Sequence, residues 1–582
     1  MATLPARTSR RLGDYSADYR MLILAAMAVV AGTGGAFSAW ALLKLIAFAT
    51  NISWSGTASF AAATIGGRGP LLVVLIPIVG GLIVGLMARF GSDKIRGHGI
   101  PEAIETILFG GSKLSLKVAL LKPLSSAVSI GSGGPFGAEG PIIMTGGAIG
   151  SLFAQLFKLS AAERKTLLVA GACAGMTGIF GTPFAAIMLA VELLLFEWKP
   201  RSFVPVVTAV LIAMAWRPLL VGSGPLFPFA AATPAGMEPV AISAVIGLIT
   251  GVLAAVLSFI LYRIEDGFHR LPIHWMWWPA IGAIVVGIGG LFDIRVLGAG
   301  YGSIQDLLNG DVVIKAVLLL LVVKAIVWLV ALGSGTSGGI LAPLLILGGC
   351  AGFLIGQYLP GDPGFWAMIG MAGIMSGVMR APMTGALFAA ELTNHLSALP
   401  ETIAAGSAAY AVSVLIMKRS ILTEKIARRG RHVSREYSVD ALEFLQAAQL
   451  MTEDPATLPG DMPLSDVVRF FADEAEHRSY PVVDARGRLL GLVSRTDALR
   501  WQVSEVSDGT LGEILSDAAT AYAYPDTQTA EIADMMVASG VGRVTIVDHS
   551  TRKVVGIISR QDLLKVRVRH KNTEHVRTRG SD

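Results

Sequence analysis

Charge is what this chain has least of. Only 15% of its 582 residues are Asp, Glu, Lys or Arg, where a soluble protein carries about 25%. Hydrophobic residues make up 53%, and mean hydropathy is +0.63. That much apolar surface cannot all be hidden from water, which excludes a wholly soluble protein and places most of the chain in lipid. The net charge of +5 (47 basic against 42 acidic residues) is modest. It lacks the strong, clustered basic footprint that nucleic acid as a main partner requires. Cysteine is nearly absent. Cys173 and Cys350 both fall in apolar runs, so neither a disulfide framework nor a thiolate metal cluster is available, and the redox compartment stays open. The basic N-terminus (Arg7, Arg10, Arg11) leads into acidic residues without a small-residue cleavage site after a short apolar stretch, so no cleavable signal is expected.

The charge that exists is unevenly spread. Residues 1–420 hold 44 charged side chains, and the 162 residues after them hold 45. The first part is therefore expected to be membrane-embedded and the second soluble. At the junction stand Lys418, Arg419, Lys425, Arg428, Arg429 and Arg431. Such a juxtamembrane basic cluster predicts a cytoplasmic C-terminal domain, and the basic N-terminus agrees.

The apolar part is not a row of uniform spans. Met21–Phe48, Leu71–Phe90, Ala241–Leu261 and Ala316–Leu332 are long, whereas Val128–Ile149, Gly171–Leu195, Gly335–Leu354 and Met368–Glu391 are interrupted by Gly or Pro. Broken helices at membrane depth are tolerated where they line a cavity or are buried in protein. The breaks also repeat. Gly131–Pro141 (GSGGPFGAEGP) lies over Gly333–Pro343 (GSGTSGGILAP) at an offset of 202. Gly146, Gly147 and Gly150 match Gly348, Gly349 and Gly352; after a three-residue indel, Gly171, Pro183, Glu192 and Leu193 match Gly370, Pro382, Glu391 and Leu392. Duplicated, broken-helix membrane units are typically transporters or channels with a site between the halves.

A helix that starts inside the membrane presents unpaired N–H groups and the positive end of its dipole, a ready anion site. Gly lets the backbone approach an ion, and Pro fits the first helical turn. Gly97–Pro101, Gly137–Pro141 and Gly339–Pro343 share this pattern. Glu139 is the sharpest single residue, the only charged side chain between Lys122 and Lys158. A carboxylate at a helix start would compete with a bound anion and be released by protonation. That makes it a gate, a proton carrier or both, with a helix cap facing water as the plainer alternative. For Glu192 and Glu391, near the ends of their runs, structural and transport roles are equally open. No nucleophile–base pair, H-E-x-x-H or P-loop occurs in this part. No enzyme, no catalytic residue, no metal site and no required cofactor is therefore expected.

On these motifs residues 20–430 resemble the CLC chloride channels and proton/chloride exchangers. Gly97–Pro101 corresponds to the family's GSGIP, Gly137–Pro141 to GK/REGP, Gly339–Pro343 to GxFxP, and Lys418–Gly430 to the last helix. The resemblance implies an all-α polytopic membrane protein of two inverted repeats (about 20–235 and 236–430). It also implies a homodimer with one anion pathway per subunit. Glu139 would be the gate, and His98, Gly99, Ile100, Gly137, Gly140, Ile340, Leu341 and Leu422 would surround the anion. The departures are informative. His98 stands where the family has a pore serine, Leu422 where it has a tyrosine, Leu341 where it has a phenylalanine, and Ala138 where it has a basic residue. His98 either donates to an anion or points into packed protein. Leu193 occupies the place of the exchangers' inner proton-transfer glutamate. Its apolar character favours a channel or uncoupled conductor of chloride or another small anion, with proton-coupled exchange as the alternative.

Downstream of a linker (431–450), Leu490–Leu499 (LGLVSRTDAL) recurs as Val555–Leu564 (VGIISRQDLL). Each copy follows an apolar strand ending in Asp and a helical pattern, Leu464–Ala475 or Thr529–Ala538. This resembles a tandem pair of CBS domains, 451–503 and 510–569, forming a cytoplasmic α/β module. Such pairs often hold adenine nucleotides, so ATP, ADP or AMP is a candidate ligand. Ser494, Asp497, Ser559 and Asp562 then either bind nucleotide or merely cap the following helices. The segment 1–19 is expected to be cytoplasmic. The basic tail (570–582, with Lys565–Arg579) either lies on anionic membrane lipid or hangs free. A multi-pass protein of the plasma (inner) membrane is the expectation.

Overall fold

In the computed structural model, residues 19–230, 234, 236–430, 442, 445–503, 509–515 and 521–566 are described. The N-terminal arginines Arg7, Arg10 and Arg11, residues 431–441 of the linker and the whole basic tail 570–582 lie outside the described residues. The chain divides into two compact units, Tyr15–Arg435 and Glu436–Asp582 with Met1–Asp14.

The first unit is helical. Among the described residues, seven helices are long and apolar enough to cross a membrane: Arg20–Ser55, Pro70–Gly91, Pro200–Leu220, Met237–His269, Trp275–Phe292, Ile314–Gly333 and Leu396–Arg428. Their outward faces carry large apolar side chains, such as Leu22, Phe259 and Leu219. Their inward faces carry small ones: the first helix buries Ala28, Ala31, Gly32, Gly35, Ala36 and Ala39. This is packing for lipid, where close backbone approach rather than water exclusion joins helices. Shorter helices, Glu139–Gln155, Ala161–Phe180, Leu341–Gly356 and Pro363–Met379, form the buried centre.

The duplication is geometric. Where Glu139–Gln155 crosses Ala161–Phe180, a Cβ on Gly146 would lie 2.4 Å from Gly171 O. Where Leu341–Gly356 crosses Pro363–Met379, a Cβ on Gly348 would lie 2.5 Å from Gly370 O. The aligned glycines thus make the same glycine-to-glycine crossing in both halves. The short-helix carboxylates are exchanged between halves. Glu391 accepts from the N–H groups of Phe184 (3.0 Å) and Ala185 (2.7 Å), at the start of helix Pro183–Leu189. Glu192 accepts from Met383 N (3.2 Å), Thr384 N (2.9 Å) and Thr384 Oγ1 (2.7 Å), at the start of Pro382–Leu392. Each half caps the other's helix, which gives both glutamates a structural role.

Among the described residues the second unit holds two small sheets. Strands β1 (Thr452–Glu453), β5 (Tyr522–Ala523), β6 (Arg543–Val547) and β7 (Val554–Ser559) form one, in the order β1-β7-β6-β5. Strands β2 (Leu458–Pro459), β3 (Ser479–Val483) and β4 (Leu489–Ser494) form the other. The repeats exchange their leading segments. β1 precedes the first repeat's sheet but pairs with β7 of the second, and Met451 packs on Gly556. Conversely, Leu511 N and Gly512 N donate to Met462 O and Gly460 O, and Leu515 packs on Gly491. The two repeats, 451–503 and 510–569, are thus joined by exchanged segments. Each core borrows an apolar segment from upstream of the other repeat.

Candidate functional site

The site grows from two loops, each pinned by a buried lysine. Lys122, on helix Leu116–Gly131, donates to Ile95 O (2.8 Å), Gly97 O (2.7 Å) and Ser337 Oγ (3.0 Å). Lys324, on helix Ile314–Gly333, donates to Val296 O (2.8 Å) and Gly298 O (3.0 Å). Both side chains are fully buried. Carbonyls bent inward to a lysine cannot pair within a helix, so each loop stays open. Each then turns through a left-handed glycine, Gly99 at φ 85° or Gly300 at φ 72°, into a short helix, Ile100–Phe109 or Tyr301–Asn309.

The loops rest on the Gly-rich segments of the opposite half. Gly97 N donates to Gly335 O (3.3 Å), and Gly298 N donates to Gly133 O (3.0 Å). Between them Gly137 and Gly339 form a two-residue antiparallel bridge, with N···O distances of 3.2 and 2.8 Å. Helices Glu139–Gln155 and Leu341–Gly356 start two residues beyond this bridge. The Glu139 carboxylate lies over it: a Cβ on Gly137 or Gly339 would sit 2.0 or 2.4 Å from Oε2. The carboxylate faces its own N–H and those of Leu341 and Ala342, without an aligned hydrogen-bond partner among the described residues. Glycine is required at both bridge positions because any side chain would occupy the carboxylate's place.

The other sequence-derived residues fall around this crossing. His98, buried at 4% exposure, turns its carbonyl onto Gly140, where a Cβ would lie 1.8 Å from the oxygen. Its Nδ1 is buried without a partner, and the residue lines a cavity of about 390 Å³ with Arg96, Tyr262, Glu265, Lys425 and Arg428. Gly99 and Ile100 start the first short helix, and Ile340 caps helix Leu341–Gly356. Leu422 is buried in helix Ile421–Arg428. The hydroxyl of Tyr262 donates to the adjacent Ile421 O (2.5 Å), so a phenol enters there from helix Met237–His269. Leu193 is buried in the π-helical segment Ala190–Leu195. Below the crossing, buried Glu102 pairs with Lys425 and Arg429, each at 3.0 Å.

Four participants escaped the reading of the sequence: Lys122, Lys324, Glu102 and Tyr301. Lys122 and Lys324 stand at the same offset of 202 as the Gly blocks, and Gly298–Tyr301 follows Gly97–Ile100 at 201. That signal was present but masked, because Gly298–Tyr301 lacks the proline that marks the other starts. Among the described residues no group of three or more His, Cys, Asp or Glu is placed to hold a metal ion.

In the soluble unit, Asp497 Oδ2 accepts from Ser494 N (3.0 Å) and Oγ (2.5 Å). Asp562 Oδ2 accepts from Ser559 N (3.0 Å) and Oγ (2.6 Å). Both pairs make the same local cap, so the capping function is met in each repeat, and the two loops are not joined by these contacts.

Set beside known proteins, residues 80–414 match the profile of the family described as voltage gated chloride channel, and residues 447–504 and 512–569 match CBS domains. The chain is 29% identical over 381 residues to the H(+)/Cl(-) exchange transporter ClcA of Vibrio campbellii, covering 62% of this chain and 80% of that protein. It is 28% identical over 373 residues to the voltage-gated ClC-type chloride channel ClcB of Salmonella typhimurium, covering 62% and 88%. Its fold is similar to that of a slow cyanobacterial Cl-/H+ antiporter, with a TM-score of 0.61 at 22% identity over 71% of this chain and 99% of that one.

Proposed function

The chain belongs to the voltage gated chloride channel family, whose members are multi-pass membrane channels and transporters rather than enzymes, and from that premise we propose that it conducts chloride as a channel or uncoupled conductor gated by Glu139. The observation that carries the gate is the carboxylate's position. It sits over the Gly137–Gly339 bridge at the starts of two helices, one from each half. An ionised carboxylate there fills the place an anion would take at those N–H groups. Protonation removes the charge and releases the side chain. Gly99, Ile100, Gly137, Gly140, Ile340 and Leu341 then supply backbone around the ion, with His98 and Leu422 at the inner end. Apolar Leu193 supports conduction without coupled protons, since the chain offers no carboxylate there to pass a proton inward.

The relative named as an exchanger keeps proton-coupled exchange as the second reading. One experiment separates the two. In proteoliposomes with an imposed chloride gradient, a channel drives no uphill proton movement, whereas an exchanger acidifies or alkalinises the lumen against its gradient. Glu139→Gln is expected to abolish the pH dependence of flux; retention of the parental profile would sink the gate.

We further infer a homodimer in the plasma membrane with both termini cytoplasmic, on the strength of family membership and the basic juxtamembrane cluster. The CBS pair is proposed to bind an adenine nucleotide and so regulate conduction. Asp497 and Asp562 use Oδ2 for their caps, and their Oδ1 atoms face Arg500 (3.8 Å) and Lys565 (3.6 Å), exposed pairs that a ribose hydroxyl would displace. Calorimetric titration of the full chain with ATP, ADP and AMP tests this; no heat with any of the three would refute it.

A further inference from the structure

The first lysine-pinned loop carries two side chains that its counterpart in the other half lacks. Gly97 and Gly298 correspond, so Arg96 stands opposite Leu297 and His98 opposite Ala299. The packing at the first of these positions is shared. A Cβ on Gly335 would lie 2.9 Å from Arg96 Nη2, and a Cβ on the matching Gly133 would lie 3.7 Å from Leu297 Cδ1. A leucine therefore suffices against the glycine, and an alanine suffices two positions on. The scaffold accounts for neither the guanidinium nor the imidazole.

Both extra groups line the cavity of about 390 Å³. The Arg96 guanidinium lies over the Trp275 ring, with Cζ 4.5 Å from its centroid and 5.5 Å from that of Trp278. Among the described residues it makes no hydrogen bond and no ion pair, and packing shuts off only its Nε, which leaves both Nη atoms open. The cavity's other cations are committed: Lys425 and Arg429 to Glu102, and Arg428 to Asp266. Asp93 and Glu265 also line the cavity, and neither pairs with Arg96. A guanidinium held away from bulk water calls for a counter-charge, and the space for one here is the cavity. His98, only 4% exposed, has its Nδ1 shut off by packing. Its Nε2 is then the ring nitrogen open to the cavity, a donor when it carries the proton of the neutral ring.

We propose that Arg96 and His98 form an inner subsite for a planar oxoanion. This rests on reading the membrane unit as an anion pathway with His98 at its inner end. Nη1 and Nη2 present coplanar N–H groups that match two oxygens of one planar anion, whereas a halide offers a single point. A cavity many times the roughly 30 Å³ share of one water does not enclose a lone sphere, so discrimination falls to the direction of the donors. Stacking on Trp275 fixes the guanidinium plane, and with it that direction.

The test titrates nitrate, and bromide as a sphere of the same charge, into the full-length protein in detergent by calorimetry. The parent is expected to hold nitrate about tenfold more tightly than bromide, the change one charge-assisted hydrogen bond supplies. Arg96→Leu and His98→Ala install the residues that the other half carries at the same places. Arg96→Leu is expected to abolish the preference, and His98→Ala to weaken nitrate about fivefold, the effect of one neutral hydrogen bond. Arg96→Lys keeps the charge without the fork and is expected to equalise the two anions; it decides the matter even if Arg96→Leu does not fold. Equal affinities in the parent, or a preference that survives Arg96→Lys, overturns the proposal. Binding is read here without transport. A failed Glu139 gate therefore leaves a measured preference intact, and a chain that keeps the preference yet moves no anion sinks the proposed function alone.

Discussion

The two halves of the membrane unit use one scaffold and place different chemistry on it. Lys122 and Lys324 pin equivalent loops, Gly137 and Gly339 bridge the halves, and Glu192 and Glu391 cap each other's helices. Against that background Glu139 stands opposite Leu341, and Tyr301 opposite Ile100. What repeats holds the fold, because both halves need it. What differs, Glu139 against Leu341, falls where we propose the pathway to lie. Burial alone does not set Glu139 apart, since the repeated Lys122 and Lys324 are as fully buried as it is.

The strongest way to break this division is to remove the repeated lysines. Lys122→Met and Lys324→Met each orphan two loop carbonyls in the interior and are expected to cost about 3–5 kcal/mol. Thermal unfolding in detergent reads this out. A large loss at one position and none at the other would end the claim that they are equivalent. The next test perturbs the asymmetric feature. Gly137→Ala places a methyl 2.0 Å from the Glu139 carboxylate, displacing it. Chloride flux at neutral pH is expected to rise and its pH dependence to flatten, with a smaller response when Glu139 is already Gln. Smaller again, Glu192→Ala and Glu391→Ala each remove a helix cap and are expected to cost about 1–2 kcal/mol apiece, without moving the flux midpoint. A shifted midpoint in either would transfer that glutamate from scaffold to pathway.

The soluble unit extends the comparison with the smallest effect. Asp484 accepts from Arg486 N, Arg488 N and Arg488 Nε, and Asp548 from the amides and hydroxyls of Ser550 and Thr551. The side-chain and backbone bonds from Ser550 and Thr551 hold the Asp548 carboxyl below its ordinary range, and bonds from Arg488 do the same for Asp484. A group lowered on folding stabilises above its unfolded value of about 3.9 and loses that contribution as pH falls through the folded one. Both turns are therefore expected to weaken only in acid, below about pH 4, and Asp548→Asn to flatten the acid limb of a melting-temperature profile. A destabilisation that grows between pH 6 and 8 would contradict it.

Much of this was legible before any coordinates. The scarcity of charge ahead of residue 420, the Gly–Pro helix starts and the 202-residue offset led to a duplicated membrane unit. The isolation of Glu139 in an apolar run singled it out. The reciprocal caps were half visible, since Glu192 and Glu391 align, but their exchange between halves was not. Tyr301 was missed because its loop, Gly298–Tyr301, shares two glycines with Gly97–Ile100 but is followed by Gly302 where the first has Pro101. The exchanged segments of the soluble repeats were invisible, because a two-residue strand such as Thr452–Glu453 has no periodicity to read.

Partition between lipid and water, the break points of the helices and the duplication belong to the sequence by itself, because each depends on local composition or on self-similarity along one dimension. Which residue of one half meets which residue of the other belongs to the tertiary structure alone. Gly137 meets Gly339 and Glu391 meets Phe184 across roughly 200 positions of chain. Those meetings arise only when two antiparallel copies close on a common axis, where small residues let backbones touch and a few polar groups must find one another out of reach of water.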